Sequence, residues 1–153
     1  MHGLIADFIH YLNVERGLAK ATQTSYQQDL ITFSAWLAAR KRRTFPEEFG
    51  TIQSFLKEQN ATKAPASVSR MISALRKFYR FLLREGAISA DPMTKIDTPK
   101  RAQHLPATLS SQEVDALMAK PDTDKPLGLR DRAIFELMYA TGLRVSEVVD
   151  LRL

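Results

Sequence analysis

Apolar residues recur three and four positions apart along nearly the whole chain, so the pattern predicts helices throughout, and no segment reads as a convincing strand. Leu4, Ile5, Phe8, Ile9 and Leu12 line one face of a first helix that ends near Arg16 and Gly17. The segment Leu18-Ala-Lys-Ala-Thr22 turns the chain, and Thr22 or Thr24 is placed to cap a second helix. Its stripe is Tyr26, Leu30, Phe33 and Leu37, with Trp36 beside it, and Arg40-Lys-Arg-Arg43 ends it with cations at the favourable end of the dipole. A shorter third helix is predicted from Pro46 to about Gln59, with Pro46 in its first turn and Phe49, Ile52 and Leu56 buried. The fourth helix has the clearest pattern, starting near Pro65-Ala-Ser67 and stopping at Gly86. At about 100° per residue, Val68, Met71, Ile72, Leu75, Phe78, Tyr79 and Leu82 share one face. Arg70, Lys77, Arg80 and Arg84 share the other, with Ser73 next to them and Arg76 at the margin.

The periodicity then lapses. Residues 87–108 carry Pro92, Pro99 and Pro106 with Lys95, Lys100 and Arg101 between them, which predicts an extended, semi-rigid linker. The expected organisation is therefore a four-helix domain over 1–86, a linker over 87–108 and a second unit over 109–153. That unit opens on Ser110-Ser-Gln-Glu113, a capping box in which Ser110 and Glu113 close reciprocally on the helix start. A further helix is predicted from about Leu129 to Ala140, burying Ala133, Ile134, Leu137 and Met138, with Gly142 at its stop. Another begins near Ser146 and Glu147. The fold class is all-α as present.

Composition narrows the function classes. The chain has 153 residues, enough for one good core or two small ones, and no cysteine, which excludes a disulfide scaffold, a thiolate zinc site and a cysteine nucleophile. His2, His10 and His104 lack metal-ligand spacing, so no metal is expected. No basic stretch precedes an apolar run at the N-terminus and no uncharged apolar run approaches a membrane span, so neither a signal peptide nor a membrane partner is expected. The absence of cysteine fits a reducing, cytoplasmic setting. The net charge of +5 is concentrated: residues 65–104 hold eight Lys and Arg against three Asp and Glu, and the rest of the chain holds fourteen of each. A localised basic face points to a polyanion.

Three features carry candidate chemistry. The ridge of Arg70, Arg76, Lys77, Arg80 and Arg84 suits the DNA major groove, where cations neutralise phosphates, and Ser67, Ser69 and Ser73 add hydroxyl groups for phosphates or base edges. The same spacing also fits a solvated helix face. Lys20 and Thr22 offer phosphate-type donors at the start of the second helix, or a plain helix cap; Lys95, Lys100 and Arg101 track a backbone, or are ordinary linker polarity. Arg144 is more restricted. It follows an apolar helix and Thr141-Gly142, and it precedes Val145-Ser-Glu147. A guanidinium held there can grip two phosphate oxygens and stabilise charge developing on them. Glu147 supports it or caps the next helix.

The string Ala140-Thr-Gly-Leu-Arg-Val-Ser-Glu147 resembles the first catalytic-arginine motif of the tyrosine recombinases (the phage integrase family), and in detail the Xer branch. The resemblance extends, in order, to Val14 through Leu30, to Ser69 through Leu83, and to the prolines of 92–106. It implies a SAM-like four-helix core-binding domain, a linker, and the first helices of a mixed catalytic domain in a two-lobed clamp on duplex DNA. It implies a tyrosine that forms a 3′-phosphotyrosyl bond, no metal or cofactor, and related subunits in a tetrameric synapse that resolves chromosome or plasmid dimers. Only Arg144 carries over among the catalytic residues. The family's lysine, its His-x-x-Arg motif and its nucleophile match nothing here. Tyr11, Tyr26, Tyr79 and Tyr139 fall on helical core faces or their margins. The expectation is a recombinase cut early in its catalytic lobe and inactive by itself. The alternatives are a non-catalytic DNA-binding module, a truncated integrase of a mobile element, and a helical interaction domain whose basic face only confers solubility.

Overall fold

The computed structural model describes residues 1–97 and 107–151. All regular elements among them are helical. The chain forms two compact units, Met1–Ala102 and Gln103–Leu153, each described by itself.

The first unit contains α1 (His2–Val14), α2 (Lys20–Ala39), α3 (Phe49–Thr62) and α4 (Pro65–Arg84). Its core is aromatic. Phe8 and Phe45 meet the Phe78 ring edge-on at 5.3 and 4.8 Å, and Phe33 packs on Phe55 at 4.7 Å. Leu12, Leu30, Leu37, Ile52, Leu75 and Leu82 fill the space between them. α4 is the central element, since Ala74 and Phe81 join the predicted stripe in the core. Pro65 opens it, at a position where no intrahelical N–H is required. Gly86, with φ of 68°, closes it. There Ala87 N–H donates to the Leu82 carbonyl at 2.9 Å and Gly86 N–H to that of Leu83 at 3.2 Å.

Several boundaries differ from expectation. α2 starts at Lys20 with Ala19 as its N-cap and no side-chain cap, so Thr22 and Thr24 lie inside its first turns. Thr24 instead donates its hydroxyl back to the Lys20 carbonyl, and Gln23 seals the turn by donating to the Leu18 carbonyl at 2.6 Å. α3 starts at Phe49, since Glu48 before it is extended (ψ 119°) and serves as the N-cap, while Pro46 is buried and its carbonyl accepts from the Tyr79 hydroxyl at 2.9 Å. Phe55 is fully buried there, whereas Phe49 is half-buried. Residues 87–97 are no free linker: Ile88, Pro92 and Met93 are buried, and a single 3-10 turn, Pro92–Lys95, packs on α3 and α4. The Glu47 carboxylate holds this segment by accepting from Ser89 N–H, Ser89 hydroxyl and Ala90 N–H. The reason is apolar burial at single positions that follow neither a helical nor a strand period. Pro99 and Pro106 lie outside the described residues.

The second unit contains α5 (Ser111–Met118), α6 (Pro126–Thr141) and α7 (Val145–Val149). The Ser110–Glu113 capping box forms as read from the sequence. α6 begins earlier than Leu129, with Pro126 in its first turn. The expected burial of Ala133, Ile134, Leu137 and Met138 does not occur: Ala133 and Leu137 are exposed and the other two half-buried. Among the described residues α6 packs only on limited parts of α5 and α7, which leaves this face of the helix within reach of water.

Candidate nucleic-acid interface

α4 separates its two faces cleanly. Its core side anchors the helix, and its outer side carries Arg70, Ser73, Lys77, Arg80 and Arg84 three and four residues apart, with Arg76 at the edge. Each cation has a distinct environment. Arg70 Nε and Nη2 donate at 3.0 and 2.9 Å to the two oxygens of Asp29, whose side chain is only 3% exposed. Those hydrogen bonds, led by the side-chain pair itself, raise the already high guanidinium pKa further. Arg84 lies 4.2 Å over the Tyr11 ring and bridges Glu15 and Glu85 at 3.1 and 3.0 Å, and its pKa is likewise raised, chiefly by Glu85. Arg76 donates to the Ile96 carbonyl at 2.7 Å. Lys77 lies 5.6 Å from the Tyr26 ring. Lys77 and Arg80 are exposed and have no acidic partner among the described residues.

The serines divide. Ser67 is half-buried in the first turn. Ser69 is buried, and its hydroxyl finds no partner among the described residues, so in this packing it offers nothing to a polyanion in solvent. Ser73 is half-buried and donates back to the Ser69 carbonyl at 3.0 Å, leaving acceptor capacity outward. Lys20 is exposed and Thr22 half-buried at the start of α2. Lys100 and Arg101 lie outside the described residues.

Sequence reasoning missed two contributors. Arg16, past the end of α1, joins Lys77, Arg80 and Arg84 around a groove of about 570 Å³ floored by Tyr11 and Phe81. Arg16 donates to the Tyr11 hydroxyl at 2.8 Å, which ties it to that groove. Asp29 is the other. A lone aspartate inside an apolar stripe was the available signal, since a buried carboxylate requires a partner.

In the second unit, Gly142 takes the left-handed conformation (φ 69°) that stops α6, and Arg144 becomes the N-cap of α7. Glu147 caps α7 and also touches the Arg144 side chain. Its carboxylate accepts from the Arg144 backbone N–H at 2.7 Å and from Arg144 Nη1 at 3.3 Å. The backbone bond is the main cause of its lowered pKa. The Arg144 side chain remains 82% exposed, with most of its donors free for an incoming anion. Among the four tyrosines, Tyr26 and Tyr79 are buried, whereas Tyr139 is 69% exposed, away from any core.

The family description "Phage integrase, N-terminal SAM-like domain" matches residues 5–86, and "Phage integrase family" matches residues 107–153. The chain is 84% identical over 153 residues to tyrosine recombinase XerD of Lacticaseibacillus casei, covering all of this chain and 52% of that protein. It is 44% identical over 156 residues to tyrosine recombinase XerD of Listeria monocytogenes serovar 1/2a (100% and 52% covered). To that of Pseudomonas aeruginosa it is 44% identical over 154 residues (99% and 51% covered). The chain thus spans about half the length of the curated relatives it matches.

Proposed function

Because the chain belongs to the phage integrase family, we propose that it supplies the DNA-binding lobe and the first helices of the catalytic lobe of a Xer-type site-specific recombinase. The domain reading that goes with this is a core-binding lobe over 1–86, a connection over 87–108 and the start of the catalytic lobe over 109–153. The observation that carries the proposal is the one-sided α4: ten of its residues are buried, and its outer face is a cationic ridge. A helix fixed in this way can lie in a major groove while its cations displace counterions from the phosphates.

In this reading Lys77 and Arg80, with Lys20 and Arg16, meet the backbone, Arg84 borders them while bridged to Glu15 and Glu85, and Arg144 engages the scissile phosphate. When a tyrosine hydroxyl attacks that phosphodiester, the new O–P bond forms, the bond to the 5′ oxygen breaks, and that oxygen leaves as a hydroxyl. Arg144 offsets the charge that gathers on the non-bridging oxygens meanwhile. The remaining catalytic groups belong to the part of the recombinase beyond this chain's match. The partners are a duplex recombination site and, for the whole protein, related subunits in a tetrameric synapse in the cytoplasm. No helix among the described residues is long and apolar enough to cross a membrane.

The test is duplex-DNA binding across a salt series. Lys77→Glu with Arg80→Glu is the informative variant, because neither side chain is needed to neutralise a buried acid. Steep salt dependence in the unaltered chain, with the logarithmic slope reduced by about one per removed phosphate contact, is the expected result. Salt-independent binding, or none at low salt, would refute the proposal.

A further inference from the structure

We propose that Asp29 is a positioning residue for sequence readout: it holds the Arg70 guanidinium so that Arg70 recognises a guanine in the major groove. This rests on the reading of α4 as the DNA-facing helix. Asp29 lies on α2, almost fully buried, and its two oxygens take Nε and Nη2 of Arg70 in a two-bond fork. The fork uses one edge of the guanidinium and restricts the side chain's torsions. Nη1 and the second Nη2 hydrogen form the adjoining end-on edge, and the Arg70 side chain is 43% exposed.

Charge then separates Arg70 from its neighbours on the ridge. The Arg70–Asp29 pair is neutral as a unit, so it gains little from a phosphate. Its hydrogen-bonding direction survives neutralisation, and two parallel N–H groups match the O6 and N7 acceptors that guanine presents in the major groove. Lys77 and Arg80 have the opposite character, being unpaired with any acid among the described residues and exposed, and so are suited to phosphates. An ion pair with one buried member is a weak source of stability compared with apolar packing. Its place on the cationic face of α4 therefore argues for a geometric role. A preformed guanidinium edge also loses less freedom on binding than a mobile one.

The experiment is selection from a randomised duplex pool with the 153-residue chain, its Asp29→Asn variant and its Arg70→Lys variant, with salt slopes measured in parallel. Arg70→Lys keeps a cation beside Asp29 but removes the second edge, so it remains decisive if Asp29→Asn fails to fold. The expected result is one guanine enriched by the unaltered chain. That preference falls about tenfold in either folded variant, while the rest of the profile stays unchanged and the salt slope does not become shallower. An unchanged guanine preference in the variants overturns the inference, as does a uniform loss of affinity with a shallower salt slope, which would make Arg70 a phosphate contact. Salt-dependent binding with no base enriched overturns this inference alone. No binding at low salt overturns the DNA-binding reading with it.

Discussion

Tyr79 joins a loop to the core through one polar atom. Its ring is fully buried and its hydroxyl donates to the Pro46 carbonyl, 33 residues away. Tyr79→Phe leaves that carbonyl unsatisfied and is expected to cost about 1–2 kcal/mol in urea unfolding, with the helical content of the native state unchanged. Burial, and then the negative charges of Asp91 and Glu47, push the phenol well above its ordinary pKa of 10.0. The folded state therefore keeps the proton that the unfolded state releases near pH 10. The stabilisation is complete below that pH and is lost as pH rises above it. Unfolding midpoints measured on either side of about pH 10 should show this loss in the unaltered chain and a smaller one in Tyr79→Phe. That Tyr79 belongs to the core was legible from its place in the α4 stripe. The acceptor of its hydroxyl was not, because nothing local marks the Pro46 carbonyl. Asp29 is the same case: its partner Arg70 lies 41 residues along the chain and looked like one more free cation.

At the scale of elements, helix ends separate two kinds of signal. Gly86 and Gly142 were readable as stops because left-handed backbone favours glycine. α2 ends with the same hydrogen bonds as α4, Arg42 N–H to the Leu37 carbonyl at 3.0 Å and Lys41 N–H to that of Ala38 at 2.9 Å, but a lysine with φ of 60° occupies the left-handed position. Lys41→Gly should therefore stabilise the first unit by about 0.5–1 kcal/mol, and Gly86→Ala should destabilise it by about 1 kcal/mol. Thermal melts of the two variants, shifting in opposite directions, check both. The start of α2 escaped the sequence because Ala19 carries no capping side chain, and the two threonines nearby offered a more conventional cap.

At the scale of the whole molecule, the two units differ in what they bury. Phe8, Phe33, Phe55 and Phe78 are fully enclosed in the first, whereas in the second Leu117, Leu129, Tyr139, Val145 and Val149 are exposed. Hydrogen exchange should show the strongest protection in α4, near the limit set by global unfolding, and weak protection in α5–α7, whose amides open locally. Equal protection across the two units would contradict this account.

The order of the helices, the apolar faces of α1, α2 and α4, the capping box at Ser110 and the recombinase motif around Arg144 were determined by the sequence alone. Each depends on residues within a turn or two of one another, and period and spacing express such relations directly. Tertiary structure alone decided which cations are free and which are spent, where residues 87–97 pack, and which apolar stripes find a core. These outcomes depend on groups distant in the chain: Asp29 for Arg70, Glu47 for Ser89, Pro46 for Tyr79. A charge or an apolar side chain has the same local pattern whether or not a partner reaches it, so only the folded arrangement separates Lys77 and Arg80, open to a polyanion, from Arg70, already held by an acid.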